Sequence, residues 1–198
     1  QITGFDGADQ HYQMFNNVRS NFYNQTTWSM GYPAATGIGS NLGGILVDID
    51  AAVFTRPECF ATPIDNKLQV AAHAYSPQVL EMAHQQKSTP KFERAKAIWK
   101  KDHGFVYISG TAAIRGEQSL EGVGIEEQTL ATLENIKYLV SAENLGESGI
   151  PVMKDASYIC FRVYVKRWED MAKAREVITR QYPDLPAVYT LTDVCRSE

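Results

Sequence analysis

The stretch Gly31-Tyr-Pro-Ala-Ala-Thr-Gly-Ile-Gly-Ser-Asn-Leu-Gly-Gly44 has the composition of a ligand cradle. Its order argues against phosphate chemistry. A phosphate-binding loop follows a strand and opens a helix, so that backbone N–H groups at the helix start meet the anion. Here Gly37, Gly39 and Gly43 precede a β-branched run, and no lysine follows. Two nucleophile candidates fare no better. Ser109, in Ile-Ser-Gly-Thr, lacks the glycine two positions earlier that a nucleophile elbow uses. Cys195 has no following histidine to activate it and reads as an inert small side chain. His73, His84 and His103 show no metal-ligand spacing, and Glu117 and Glu121 read as mobile-loop carboxylates rather than catalytic acids. Cys59, Cys160 and Cys195 form no Cys-x-x-Cys pair, so we expect no structural zinc, no metal, no cofactor and a reducing, cytoplasmic setting.

Charge narrows the partners. A net charge of −4 and a pI near 5.6 exclude the basic excess of a nucleic-acid surface. The clearest basic run, Lys91 to Lys101, spaces its charges like the solvated face of a helix. No apolar stretch approaches the ~20 residues that span a bilayer, and the run Ile45–Phe54 is broken by Asp48 and Asp50. No membrane partner is expected. The first residue is Gln1 and no signal pattern comes after it, which suggests a processed or shortened product.

The elements that must position these residues follow from periodicity. Residues 9–27 read as a helix with Tyr12, Phe15, Val18 (or the stem of Arg19) and Phe22 on one face. A strand is expected over Ile45–Val53, a connector over Arg56–Asn66, a short strand over Leu68–Tyr75 and a helix or loop from Pro77 to about Lys87. Phe92–Lys101 reads as an amphipathic helix, and Gly104–Ile114 as a strand interrupted at Ser109-Gly110. After a loop from Arg115 to Gly124, Ile125–Ala142 is the strongest helical pattern, with Leu130, Leu133, Ile136 and Leu139 on one face and acidic residues at its start. A strand over Ser157–Arg167, with Cys160 as a buried small side chain, a proline-ended helix over Trp168–Pro183 and a strand from Ala187 complete the series. The order implies an α+β layer, with helices packed on one face of a mixed β-sheet. Residues 9–53 and 168–198 echo each other as helix, x-Pro-Ala, strand. The chain therefore divides into 1–55, the C-terminal part of a first module, a connector at 56–102, and 103–198, a second module lacking its last strand.

Phe105-Val-Tyr-Ile-Ser-Gly-Thr-Ala112, followed by Ile125-Glu-Glu-Gln-Thr129 and Glu134-Asn-Ile136, resembles the YjgF/Rid (L-PSP endoribonuclease-like) superfamily. The stretches Tyr32-Pro-Ala-Ala-Thr-Gly, Phe92-Glu-Arg-Ala95, Arg162-Val-Tyr-Val-Lys-Arg167 and the terminal Asp193-Val-Cys-Arg-Ser-Glu198 look like its chorismatase branch, which carries two tandem modules. The resemblance implies a chorismate-mutase-like fold and hydrolytic release of pyruvate from the enol ether of chorismate. A dicarboxylate substrate needs bidentate cationic clamps. The candidates are Arg162 and Arg196, with Gly110, Thr111 and Ala112 as the wall where backbone approaches substrate, and Cys195 and Tyr75 as further pocket residues. Arg162 also fits the solvent face of a half-buried strand, since it alternates with Phe161 and Val163. The superfamily habit implies a homotrimer, for which tandem modules form a pseudo-trimer.

The chain departs from the branch in three places. Asn66-Lys-Leu-Gln69 stands where the branch has Asn-Pro-Arg-Gln, so one arginine is missing. The branch's Tyr-Gly-Pro segment is replaced by the run from Ser76 to Pro90, and its catalytic Glu is expected on a strand beyond Glu198. The alternatives are a Rid-type imine/enamine deaminase and a non-catalytic small-molecule-binding module. The deaminase clamps its substrate with Pro-Ala-Arg, where this chain has Pro186-Ala-Val188 and Pro33-Ala-Ala35.

Overall fold

The computed structural model describes residues 1–5, 11–40, 44–76 and 88–194. Gly43, His84, the Pro77–Lys87 segment, Cys195 and Arg196 lie outside the described residues. The architecture is mixed α and β, built on small sheets. Helix α1 (His11–Tyr23) is followed by β1 (Phe60–Ile64), β2 (Ala95–Lys100) and β3 (His103–Ile108), which form an antiparallel sheet in the order β1-β2-β3. A short hairpin of β4 (Ile114–Arg115) and β5 (Gln118–Ser119) leads to α2 (Ile125–Leu139) and α3 (Ala142–Glu147). Strand β6 (Phe161–Val165), helix α4 (Trp168–Gln181) and strand β7 (Ala187–Leu191) make a parallel β-α-β unit, with Arg162 level with Val188.

Helix α2 is the spine. Its Leu139 belongs to a core with Ile64, Ala95, Ala97, Leu145 and Ile150 under the β1-β2-β3 sheet. Its Leu133 joins a second core with Phe161, Val177 and Ile178 under β6-β7. Glu126 and Glu127 occupy its first turn and Lys137 its last, each opposite in sign to the helix end it faces. Leu130 differs from expectation: it sits on the outer side at 37% exposure, and Thr129, Ala131 and Asn135 are buried instead.

Several local expectations are corrected. Residues 95–100 form a strand rather than a helix. They are the middle strand of the sheet, paired with Ile64–Phe60 on one side and Ile108–His103 on the other. Pairing on both edges outweighs the modest helical preference of an Ala/Lys sequence. Alternation buries Ala95 and Ala97 and leaves the Lys96 side half-buried. The run Ile45–Val53 forms no strand; only Val47 bridges, to Ile2, and Ile45, Leu46, Ile49 and Val53 are exposed. A strand needs a partner along its length, and among the described residues this run meets only the short segment Gln1–Thr3, through Thr3 N–H to Leu46 O at 3.0 Å and Asp48 N–H to Gln1 O at 2.9 Å. Leu68–Tyr75 is a bridge at Gln69 and a 3-10 turn at Ala72–Ala74. The stretch read as a connector contains β1, whose Pro63 is tolerated because the strand is a sheet edge. In α1 the buried positions are Asn16 and Ser20, while Val18 and Phe22 face outward. Cys160 is exposed rather than buried, one residue before β6 begins.

The glycine-rich segment has a packing role. A Cβ on Gly37 would lie 2.9 Å from the Tyr12 ring, and one on Gly39 would lie 2.7 Å from Asp193 Cβ. The Gly39 N–H donates to the Asp193 carbonyl at 2.8 Å, and the Thr192 hydroxyl donates to the Gly39 carbonyl. The loop thus runs beside the end of β7, where side chains would hold the backbones apart. No helix among the described residues is long and apolar enough to cross a membrane.

Candidate functional site

A broad trough of about 2030 Å³ lies among the described residues. Strand β3 and the Ser109–Ile114 segment form one wall, and β6 with the chain leading into it forms another. Tyr12, Asn16 and Arg19 of α1, with Tyr75, Phe92 and Arg94, close it further.

The Ser109–Ala112 wall is held from both sides. The Ser109 hydroxyl accepts the Ala35 N–H at 3.0 Å and donates to the Glu93 carbonyl at 2.5 Å. Backbone bonds from Glu93 N–H to Pro33 O, Ser109 N–H to Arg94 O and Gly110 N–H to Ala35 O join the same strips. Ser109 is 4% exposed. It is a stitch between three backbone segments, which accounts for a serine without nucleophile geometry. Gly110 sits at a close approach, because a Cβ there would stand 3.2 Å from Thr36 Cγ2. From the other side, the fully buried Asn135 donates Nδ2–H to Ala112 O and Ile114 O, each at 3.0 Å. Arg115 in turn donates to Asn135 Oδ1 and pairs with Glu134.

Of the residues expected at the site, Gly110, Thr111, Ala112, Tyr75 and Arg162 all line this trough. Thr111 turns its hydroxyl back to Ser109 O at 3.2 Å. Arg162 is exposed on β6, on the face opposite the buried Phe161 and Val165. Cys195 and Arg196 lie outside the described residues, and Val194 just before them lines the trough. Glu117 is no mobile carboxylate: it accepts the Ser76 N–H at 2.8 Å and the Ser76 hydroxyl at 2.5 Å. Glu121 is exposed and lines the trough. Burial, with Tyr182 beside it, raises the Tyr158 hydroxyl above the ordinary tyrosine range, so this trough residue stays a neutral donor. No cluster of three metal-binding side chains occurs among the described residues.

The charge pattern of Phe92–Lys101 conceals two buried residues. Glu93 is 6% exposed and Arg94 2% exposed. Glu93 accepts the Tyr32 N–H at 2.7 Å, with His73 Nδ1 at 3.9 Å from its other oxygen. Lys96 donates to Gly31 O and Tyr32 O at 2.9 and 2.8 Å. Burial lowers its ammonium pKa, and the Glu93 carboxylate opposes that shift. The available signal is the Ala-x-Ala alternation immediately after the two charges.

No family model matches the chain. It is 33% identical over 176 residues to the 3-hydroxybenzoate synthase of Streptomyces hygroscopicus, covering 84% of this chain and 48% of that protein. It is 31% identical over 175 residues to a chorismatase of the same organism, covering 84% of this chain and 46% of the relative. A chorismatase of Streptomyces rapamycinicus is 30% identical over 172 residues, with 84% of this chain and 48% of the relative covered. The chain spans about half the length of the curated relatives it matches. A chorismatase crystal structure superposes with a TM-score of 0.77 at 23% identity, over 98% of this chain and 58% of the other. The sequence similarity is to chorismatases and a 3-hydroxybenzoate synthase, and the structural likeness shows that the fold is shared.

Proposed function

We propose that the chain belongs to a chorismatase-like hydrolase that releases pyruvate from chorismate or a related carboxylated enol ether. The observation that carries this reading is the meeting of the Gly110–Ala112 wall and Arg162 in one trough, in a chain 33% identical to a 3-hydroxybenzoate synthase. A carboxylic acid protonates the enol methylene carbon, water adds to the resulting oxocarbenium carbon, and the hemiketal collapses to pyruvate and a diol. Arg162 holds one carboxylate, with Arg196 as the second clamp and Cys195 as a further pocket residue, as the resemblance implies. The acid belongs to a strand following Glu198. Support for such a strand comes from β3 and β6, whose outer edges are unpaired among the described residues and which line the same trough. In this reading 103–198 is a YjgF/Rid-type module short of its last strand, 1–55 is the end of another, and 56–102 joins them. A trimer or pseudo-trimer of such modules would cover the exposed Phe105 and Tyr107.

One observation keeps the deaminase reading alive. The arginine absent at Val188 has a counterpart one strand away, because Arg162 is level with Val188 in the β6-β7 register. Pyruvate release from chorismate, measured on residues 1–198 beside the full-length protein, decides between them. Release by the longer form alone supports the hydrolase and assigns the acid beyond Glu198. No release by either folded protein, with ammonia formed from a 2-imino acid, replaces it with the deaminase. Arg162→Ala is expected to weaken chorismate binding at least tenfold, and unchanged affinity would remove Arg162 from the site.

A further inference from the structure

Residues 68–76 are fastened at both ends to the tip of one hairpin. The tip joins β4 to β5 through Gly116 and Glu117, and Gly116 has the positive φ of 59° that suits the first position of such a two-residue turn. At one end, Gly116 N–H donates to Leu68 O at 2.8 Å and Val70 N–H donates to Gly116 O at 2.7 Å. At the other end, the Glu117 carboxylate takes both donors of Ser76, the N–H at 2.8 Å on Oε2 and the hydroxyl at 2.5 Å on Oε1. The first attachment is made by backbone, which many sequences supply. The second hangs on one side chain, and bonds to a carboxylate are the stronger kind.

Between the two attachments the chain makes its 3-10 turn, closed by Ala74 N–H to Ala71 O at 2.9 Å over the fully buried Ala72. Tyr75 follows, directly before Ser76. It lines the trough, and its hydroxyl accepts Arg94 Nη2–H at 2.6 Å. Glu117 itself does not line the trough. Two departures from the chorismatase pattern frame this segment: Lys67-Leu68 stands at its start, and the replaced run begins at Ser76. Ser76 is therefore both the first residue of that run and the group that Glu117 grips.

We infer that Glu117 is a positioning residue, which fixes Tyr75 against the trough by holding Ser76. Its two oxygens set the direction of the Ser76 backbone as well as its place, so Tyr75 enters the trough wall in one orientation and little freedom is lost when a ligand binds. The consequence for turnover rests on the enol-ether reading; the tether does not.

The test compares the full-length protein with Glu117→Ala, Glu117→Gln and Ser76→Ala. Amide hydrogen exchange over residues 72–76 should speed up about tenfold or more in Glu117→Ala. KM for pyruvate release from chorismate should rise about tenfold, with kcat within about threefold of the parent. Glu117→Gln keeps one acceptor oxygen and should recover part of both losses. Ser76→Ala should move both readouts the same way and add nothing to Glu117→Ala in the double variant, because the two groups act as a unit. Parental exchange in a folded Glu117→Ala protein would overturn the inference. Faster exchange with parental KM, or additive effects in the double variant, would overturn it as well. If the parent releases no pyruvate, the enol-ether reading fails and Tyr75 reports by itself. In fluorotyrosine-labelled protein its resonance, assigned by its loss in Tyr75→Phe, should shift or broaden in Glu117→Ala, and an unchanged resonance rejects the tether. If circular dichroism shows Glu117→Ala to be unfolded, Ser76→Ala decides on the same readouts.

Discussion

Asn135 and Ala112 are joined across the back of the trough wall, the side-chain amide of one 3.0 Å from the carbonyl oxygen of the other. The same amide reaches Ile114 O, so one fully buried side chain spans the turn between β3 and β4. Asn66 reinforces the arrangement by donating to Asn135 O at 3.2 Å and to Gln69 Oε1 at 3.1 Å. Removing the Asn135 amide takes a donor from the buried Ile114 carbonyl and an acceptor from the Arg115 fork, while the Ala112 carbonyl keeps the Ile114 N–H at 2.8 Å. Asn135→Ala is expected to cost about 2–4 kcal/mol in urea unfolding. A cost below about 1 kcal/mol would mean that the wall does not depend on it.

Ser109 separates a stitch from a nucleophile. With two backbone segments tied to its hydroxyl, Ser109→Ala should lower unfolding free energy by about 1–3 kcal/mol. Turnover by the folded full-length protein should fall by less than about tenfold. A loss above about a thousandfold at unchanged stability would restore the nucleophile that its sequence context argues against.

Gly110 and Thr36 should be energetically coupled. Gly110→Ala brings a methyl to 3.2 Å from Thr36 Cγ2, with the next atoms at 3.6 Å or beyond. Crowding of this kind costs about 1–3 kcal/mol. Thr36→Ala removes the offending methyl, so the double variant should regain about 1 kcal/mol relative to additivity. Strict additivity in a double-mutant cycle would disprove the contact.

Glu126 ties the start of α2 to the end of α4 through Arg180, at 2.8 Å. Its hydrogen bond to Arg180 lowers the Glu126 pKa below its ordinary value of 4.5, with the Arg180 charge acting in the same direction and slight burial opposing. A depressed folded-state pKa contributes stability above the unfolded pKa, and that contribution disappears as pH falls through the folded value. Unfolding curves for the parent and Glu126→Gln should therefore differ above about pH 5 and converge in stronger acid. A constant difference down to about pH 2 would assign the effect to something other than Glu126 ionisation. The pair is exposed, so salt should also erode it.

How much can be read from sequence depends on the range of the forces involved. The helices α2 and α4 and the strands on either side of α4 are legible because apolar spacing, acidic first turns and the closing Pro183 act within a few residues. The same holds for the break at Ser109-Gly110. The motifs Ser-Gly-Thr-Ala and Glu-Asn-Ile mark the wall and its anchor, although only the fold shows that Asn135 holds Ala112. The strand at 95–100 reads as a helix in isolation because its state depends on two partner strands, one of them more than 30 residues earlier. Burial of Glu93 and Arg94 is equally hidden. Composition marks them as surface charges, and only the packing of Val70, Tyr75 and Phe92 around the guanidinium decides otherwise. Local order and the chemistry of the wall are thus set by neighbouring residues, whereas the strand pairing and the buried cation are set by contacts that no local pattern encodes.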